Sequence, residues 1–369
     1  MKKVIAFCMS TMIFLFSIAN AQKIETVDGV RIVHNEKPQW RDNPKLSIEF
    51  VKQIGVFEGP DENYMFYKPS HITKDTDGNI YILDSGNYRI QKFDPDGKYL
   101  ATFGRKGQGP SEFLLPQSID IDSEGNLYVG DALKFVVIVL NSQGKEIRRF
   151  RMKEVDSPEF CITENNNLVV SILGGLIVRI QRENLYGLLR IYDNQGILIR
   201  EFVKLSEYDR RSPLYILGNR INFTIDKKNN VYVSFVHQNR IEKYSDKGIL
   251  LQRIDRVTEF SETTKVKNTI NRFSISMDVD SKGRIWVMSL KRQPTEEEKE
   301  SAAIPDIAQF EIFDENGVLL GNLPWDHDVN NLSGINPQQS ISIRIFDDLL
   351  YVIDPATEMV IYEYKIVEK

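Results

Sequence analysis

Apolar runs of four to six residues, rich in Ile, Val, Tyr and Phe, recur along the chain and alternate with short polar turns. Two kinds of turn bracket them. The first, Asp-x-x-Gly-Asn or a relative, precedes an apolar strand carrying an aromatic or branched residue. It occurs at 75–79, 122–126, 163–167, 226–230 and 280–283, with a degenerate copy at Asp347-Asp348, making six. The second is a polar turn ending in Gly97, Gly144, Gly196, Gly248 or Gly317, making five. Asp at the first position and Gly at the fourth suit a type I turn closing a hairpin. The runs between are strand-length and β-branched. "NIYILD" (79–84) and "FVVIVL" (135–140) lack the in–out alternation of a half-exposed sheet, so they predict strands buried on both faces between neighbouring sheets.

Six repeats of four strands predict an all-β fold, a six-bladed β-propeller of four-stranded antiparallel blades. The missing sixth turn explains itself. The last repeat stops after Met359 to Val367, one strand short, while Leu46 to Phe57 is a strand without a repeat of its own. The N-terminal strand is therefore expected to complete the C-terminal blade and close the ring, which also removes exposed sheet edges. A flat stack of hairpins or a β-sandwich would not need complementary part-blades at its two ends. The propeller then covers 46–369, and 22–45 remains as a leader expected outside the ring and mobile.

The first 21 residues read as a signal peptide: Lys2 and Lys3, an apolar stretch from Val4 to Ile18, and Ala19-Asn20-Ala21 as the cleavage pattern. The apolar run falls short of the roughly 20 residues that span a bilayer. The mature protein is expected in the periplasm or outside the cell. Cleavage removes Cys8 and leaves Cys161 alone, so no internal disulfide can form and the core must hold the fold. Cys161 sits in the apolar "EFCIT", the setting of a buried structural thiol. Without Lys2 and Lys3, 45 basic residues face 52 acidic ones, and this acidic excess with no basic cluster argues against a nucleic-acid partner.

The segment "GNIYILDSGNYRIQKFDPDGKYLATFG" followed by "RKGQGPSEFLLPQSIDID" resembles the NHL repeat, with Gly104, Gly107, Gly109, Phe113 and Pro116 matching its Gly-rich link. The match is specific from Leu46 to about Arg149 and fades afterwards. The whole is similar to exported six-bladed propellers of Bacteroides-like bacteria, many without an assigned activity. The resemblance implies a propeller but no particular reaction, since the fold hosts scaffolds, sugar binders, lyases and hydrolases.

Comparing the copies suggests which face works. First-turn to second-turn spacing is 19 residues in blades one, two and four, but 30 in blade three (166 to 196) and 34 in blade five (283 to 317). The extra residues fall between second and third strands, after Gly174 and after Lys291, and long inter-blade links surround 206–219, 256–271 and 324–340. These loops and links share one face, at the mouth of the central channel, where recognition is expected. Candidate ligand-binding residues at that mouth are His71, Asp84, Arg89, Asp131, His237 and Asp354. Asp84, Asp131 and Asp354 follow second strands, and a ring of carboxylates would suit a polyhydroxylated ligand or a divalent cation such as calcium. Against this, Asp84, Asn87 and Arg89 also suit the repeat's own turn and inter-blade bonds. His34 lies in the leader and His327 in the last link, and no His-x-x-His or Glu-x-x-His spacing marks a zinc site. Asp120/Asp122 and Asp278/Asp280 lack the spacing of a calcium loop. Neither a Gly-x-Ser-x-Gly elbow nor a P-loop occurs. No cofactor is expected. The reading is an exported binding module for a protein or glycan partner at the loop-rich face; the alternative is a lyase or hydrolase with its site at the channel mouth.

Overall fold

The computed structural model describes residues 22–152, 159–172, 187–207, 214–258, 260, 263–264, 269–295, 297–298, 307–325, 341–355 and 359–369. Five blades follow the chain directly, each an antiparallel meander whose first strand is innermost. Blade 1 runs from Pro69–Lys74 to Tyr99–Phe103, blade 2 from Pro116–Ile121 to Glu146–Phe150, and blade 3 from Glu159–Ile162 to Leu198–Phe202. Blade 4 runs from Ile221–Ile225 to Leu250–Asp255 and blade 5 from Ser274–Val279 to Leu319–Pro324. Blade 6 contains Ser342–Phe346, Leu349–Ile353 and Ile361–Glu368, and its outer strand is Leu46–Ile54 from the other end of the chain. The expected ring closure is thus present, with Ile361 opposite Ile54 and Glu368 opposite Leu46.

The absence of in–out alternation in the second strands has a direct cause. The core is divided into six apolar clusters, each filling the gap between two adjacent blades. In Ile80–Asp84, Ile80 and Ile82 pack toward blade 6, whereas Tyr81 and Leu83 pack toward blade 2. Both faces of one strand therefore belong to the core, and alternation would expose nothing.

The turns work as their composition suggests. Asp75 accepts from Asn79 N at 2.8 Å and from Asp77 N at 3.1 Å, and its second oxygen takes the Tyr81 hydroxyl at 3.0 Å. Asp226 with Tyr232 and Asp280 with Trp286 repeat this clamp. Where the closing glycine is missing, Asn166, Asn229 and Asp347 adopt the left-handed conformation instead, with φ of 59°, 62° and 57°. Asn and Asp tolerate that region better than other side-chain-bearing residues, which is why the degenerate copies still turn.

The leader is not loose. Gln22–Val27 and Val30–Asn35 form a hairpin that extends blade 4 to six strands, the second lying parallel to Leu250–Asp255. The buried Asn35 donates to Asp255 O (3.1 Å) and Gly317 O (3.0 Å) and accepts from Leu319 N (2.8 Å), joining leader, blade 4 and blade 5. Trp40 then lies on blade 5 against Gly321, with Gln39 N and Trp40 N donating to Leu319 O and Leu320 O. The leader crosses the outer edges of blades 4 and 5 before entering blade 6. Its sequence hid this because an outer strand needs little burial: Ile24 and Val27 stay exposed.

Candidate functional site at the channel mouth

All six first strands contribute to one cavity of about 680 Å³ at the end of the channel where second-to-third turns and inter-blade links emerge. That these two kinds of segment share an end is fixed by Asp84, whose carboxylate joins them. It accepts from Tyr67 N in the incoming link (2.7 Å), from Asn87 (2.8 Å) and from Arg89 Nε (2.8 Å). Burial pushes the Asp84 carboxyl up, against the pull of these three donors. Arg89 further donates to Glu62 O and Met65 O at 2.8 Å each. Asp131 repeats the arrangement in blade 2, accepting from Leu114 N (2.7 Å), Leu115 N (3.2 Å) and Lys134 N (3.0 Å). Asp354 is buried in the equivalent position of blade 6. Asp84, Arg89 and Asp131 are therefore engaged in holding loops, and none of the three lines the cavity.

Of the candidates, His71 does line it. Its Nδ1 lies 3.1 Å from Ile119 O, and a carbonyl can only accept, so Nδ1 carries the proton. Burial, reinforced by the charge of Arg344, lowers its pKa to about 4. At neutral pH His71 is an uncharged ring with an acceptor Nε2. His237 stands one residue from the wall, bonded through Nδ1 to Asn271 O at 3.0 Å; burial lowers its pKa, and the charges of Arg220 and Arg272 add to the shift. The two histidines are not brought together.

The strongest charges in the cavity are ones the sequence reading passed over. Arg220 and Arg272 lie just ahead of the first strands of blades 4 and 5, Glu159 begins that of blade 3, and Arg344 is mid-strand in blade 6. A signal for them exists: a basic residue stands one or two positions ahead of the first strand in blades 1, 4 and 5, as Lys68, Arg220 and Arg272. Burial and the like charge of Arg220 pull the Arg272 guanidinium down to about 10. Burial pushes the Glu159 carboxyl up, with Arg220 opposing. Glu159 is exposed to the cavity yet enclosed by protein, and the two facts agree because its surroundings are the channel walls.

Arg344 forms the floor. It reaches from blade 6 across the channel, with one guanidinium nitrogen 3.8 Å from Cys161 Sγ in blade 3 and Nε 3.6 Å from Asp278 in blade 5. Asp278 also accepts from Ile345 N at 2.6 Å and from the Thr224 hydroxyl, so it links blades 4, 5 and 6 beneath the cavity. The Cys161 thiol is buried and pushed up to about 12, so it stays protonated. Arg344 also borders a smaller cavity of about 350 Å³ at the opposite, tight-turn end, so it divides the channel in two. Of the carboxylates there, Asp75, Asp226 and Asp280 are bound into the turn clamps. Among the described residues no group of three His, Cys, Asp or Glu is placed to hold a metal ion.

Comparison with known proteins agrees with the architecture. A family model described as a 6-bladed beta-propeller, DUF5128, matches residues 58–290, well over half of the chain. The chain belongs to this family. A "Putative exported protein" from Bacteroides fragilis is similar in structure over 88% of this chain and 96% of its own, at 13% identity and a TM-score of 0.60. Virginiamycin B lyase from Staphylococcus aureus is similar over 87% of this chain and 100% of its own, at 10% identity and a TM-score of 0.50. At such identities the likeness shows the fold alone. Protein brain tumor of Drosophila melanogaster is 33% identical over 81 residues, which cover 20% of this chain and only 7% of that protein.

Residues 1–21, expected to be a signal peptide, most of the blade 3 insertion, part of the blade 5 insertion and His327 lie outside the described residues. The roots of both insertions are described: Ile172 N donates to Leu188 O and Lys291 N to Ile307 O, and Ser171 lines the mouth cavity. Among the described residues no helix is long and apolar enough to cross a membrane.

Proposed function

We propose that this propeller is an exported binding module that takes a glycan or protein partner at its loop-rich face, with the mouth cavity as the ligand seat. The observation that carries this reading is convergence. Six first strands bring Arg220, Arg272, Glu159, His71 and several hydroxyl groups to one cavity of about 680 Å³, within the size range of ligand sites. The cavity mixes polar and apolar lining, and its floor is held by interblade bonds to Asp278. Export follows from the N-terminal pattern and is supported by the likeness to a protein with that description.

An enzyme of lyase or hydrolase type is the second reading, favoured by the presence of Glu159, His71 and Arg220 in the same cavity. Two features weigh against a hydrolase that works through a covalent nucleophile. Cys161 is a protonated thiol, and no nucleophile bonded to a base lines the cavity among the described residues.

Filling the cavity tests the proposal. Ser342→Trp places an indole at the mouth, whereas Thr76→Trp places one at the opposite cavity. Screened against a glycan array and a panel of purified surface proteins, the mature wild type and Thr76→Trp should bind the same partner, and Ser342→Trp should lose it. Retained binding in a folded Ser342→Trp would exclude the mouth as the seat. Steady turnover of a bound glycan would replace the binding reading with the enzymatic one.

A further inference from the structure

Resting on that reading, we infer that the mouth cavity selects an anionic saccharide, a sugar chain of two or three residues bearing a carboxylate or sulfate group that Arg220 receives. Arg220 is exposed to the cavity, and its guanidinium has no hydrogen-bond or ion-pair partner among the described residues. A side chain with five donors in a planar fork, left unengaged in a concave site, matches a planar carboxylate or the oxygens of a sulfate ester. Its surroundings reinforce the choice. Arg272 shares its wall and Lys68 stands on the rim, while Glu159 is the only carboxylate among the described residues lining the cavity. The charge of Arg344 is met from below by Asp278 and that of Arg220 is offset in part by Glu159, so the excess positive potential lies on the side of blades 4 and 5, where Arg272 adds to it.

The rest of the lining argues for a saccharide over a simple anion or an acidic peptide. Ser342 and Asn222 present neutral hydroxyl and amide groups to the cavity, and the hydrogen-bonded Ser70–Ser85 hydroxyl pair stands beside them, groups suited to a polyol. Half-buried Phe223 adds apolar surface for the face of a sugar ring. Glu159, whose side chain has no hydrogen-bond or ion-pair partner among the described residues, supplies an acceptor for vicinal hydroxyls. His71 adds a neutral acceptor at Nε2 that would not repel an anion. A volume of about 680 Å³ exceeds the need of one carboxylate several-fold and suits a short oligosaccharide.

The test is isothermal titration of the mature protein with trigalacturonate, a sulfated disaccharide and neutral galactotriose. One anionic sugar should bind at least tenfold more tightly than galactotriose, and the carboxylate and sulfate arms identify which group is taken. Arg220→Gln should weaken that ligand at least tenfold, weaken galactotriose less than threefold, and leave the melting temperature unchanged. Arg220→Lys should restore part of the loss, and added salt should weaken the wild type more than Arg220→Gln. Equal affinity for neutral and anionic sugars, or indifference to Arg220→Gln, overturns the inference. If a neutral sugar binds and Ser342→Trp abolishes it, the inference falls but the binding module stands. If Ser342→Trp leaves all binding intact, both fall.

Discussion

The docking of the leader predicts that one substitution changes sign with its background. Gly321 lies in the outer strand of blade 5, and a Cβ there would meet Trp40 Cε3 at 2.3 Å and Cδ2 at 3.0 Å. Its φ is not positive, so alanine suits the backbone and only the indole opposes it. In the wild type, Gly321→Ala should therefore destabilise by roughly 1–3 kcal/mol, the usual cost of overpacking. Trp40 is half-buried; about 100 Å² of covered ring at about 25 cal/mol per Å² gives about 2.5 kcal/mol for Trp40→Ala. Once the indole is gone, Gly321→Ala meets no obstacle. It should then stabilise by about 0.5–1 kcal/mol through the lower entropy of the unfolded chain. The coupling between the two sites is thus about 1.5–4 kcal/mol, well beyond the additive range. Urea denaturation of the wild type, both single variants and the double variant measures it. If Gly321→Ala shifts the midpoint equally in both backgrounds, Trp40 is not seated on blade 5 and the account of the leader is wrong.

Three further outcomes follow from named contacts. Asn35→Ala should destabilise by about 3 kcal/mol, because it strands Leu319 N and two carbonyls that Asn35 now satisfies, and hydrogen exchange should quicken in both Val30–Asn35 and Leu319–Pro324. Cys161, with its thiol pushed up to about 12, should resist iodoacetamide at pH 8 in the native protein and label readily in urea; rapid native labelling would contradict its burial. His71 has a folded pKa of about 4, below its unfolded value of about 6.5, so between these values only the unfolded chain takes up the proton. Its contribution should be complete above about pH 6.5 and lost as pH falls toward 4, and His71→Gln should flatten stability against pH in that window.

The ring was legible in the sequence because its determinants are local. Most tight turns are specified by one Asp, Asn, Ser or Thr and one left-handed residue, and the doubly apolar second strands announce sheets packed on both sides. Closure was legible for the same reason, since a blade short of one strand must find it elsewhere. The leader's path was not, because Trp40 and Asn35 dock through a single glycine and a few backbone groups on blade 5, with no pattern of their own. The candidate site was half legible. His71 stands at the cavity, but Asp84, Arg89 and Asp131 sit one layer behind it as loop anchors. A carboxylate after a second strand looks the same in sequence whether it faces the channel or the incoming link. Arg220, Arg272 and Glu159 acquire meaning only when blades 3, 4 and 5 are set around one axis.

The central claim, that the loop-rich mouth is the ligand seat, is tested most directly by a hydrogen-exchange footprint. The protein would be compared free and saturated with the tightest-binding member of the saccharide panel. Slowed exchange is predicted at 68–71, 115–117, 159–161, 220–223 and 272–277, the segments lining the mouth, with 75–78, 226–227 and 280–281 unchanged. Protection confined to the tight-turn end would contradict the account.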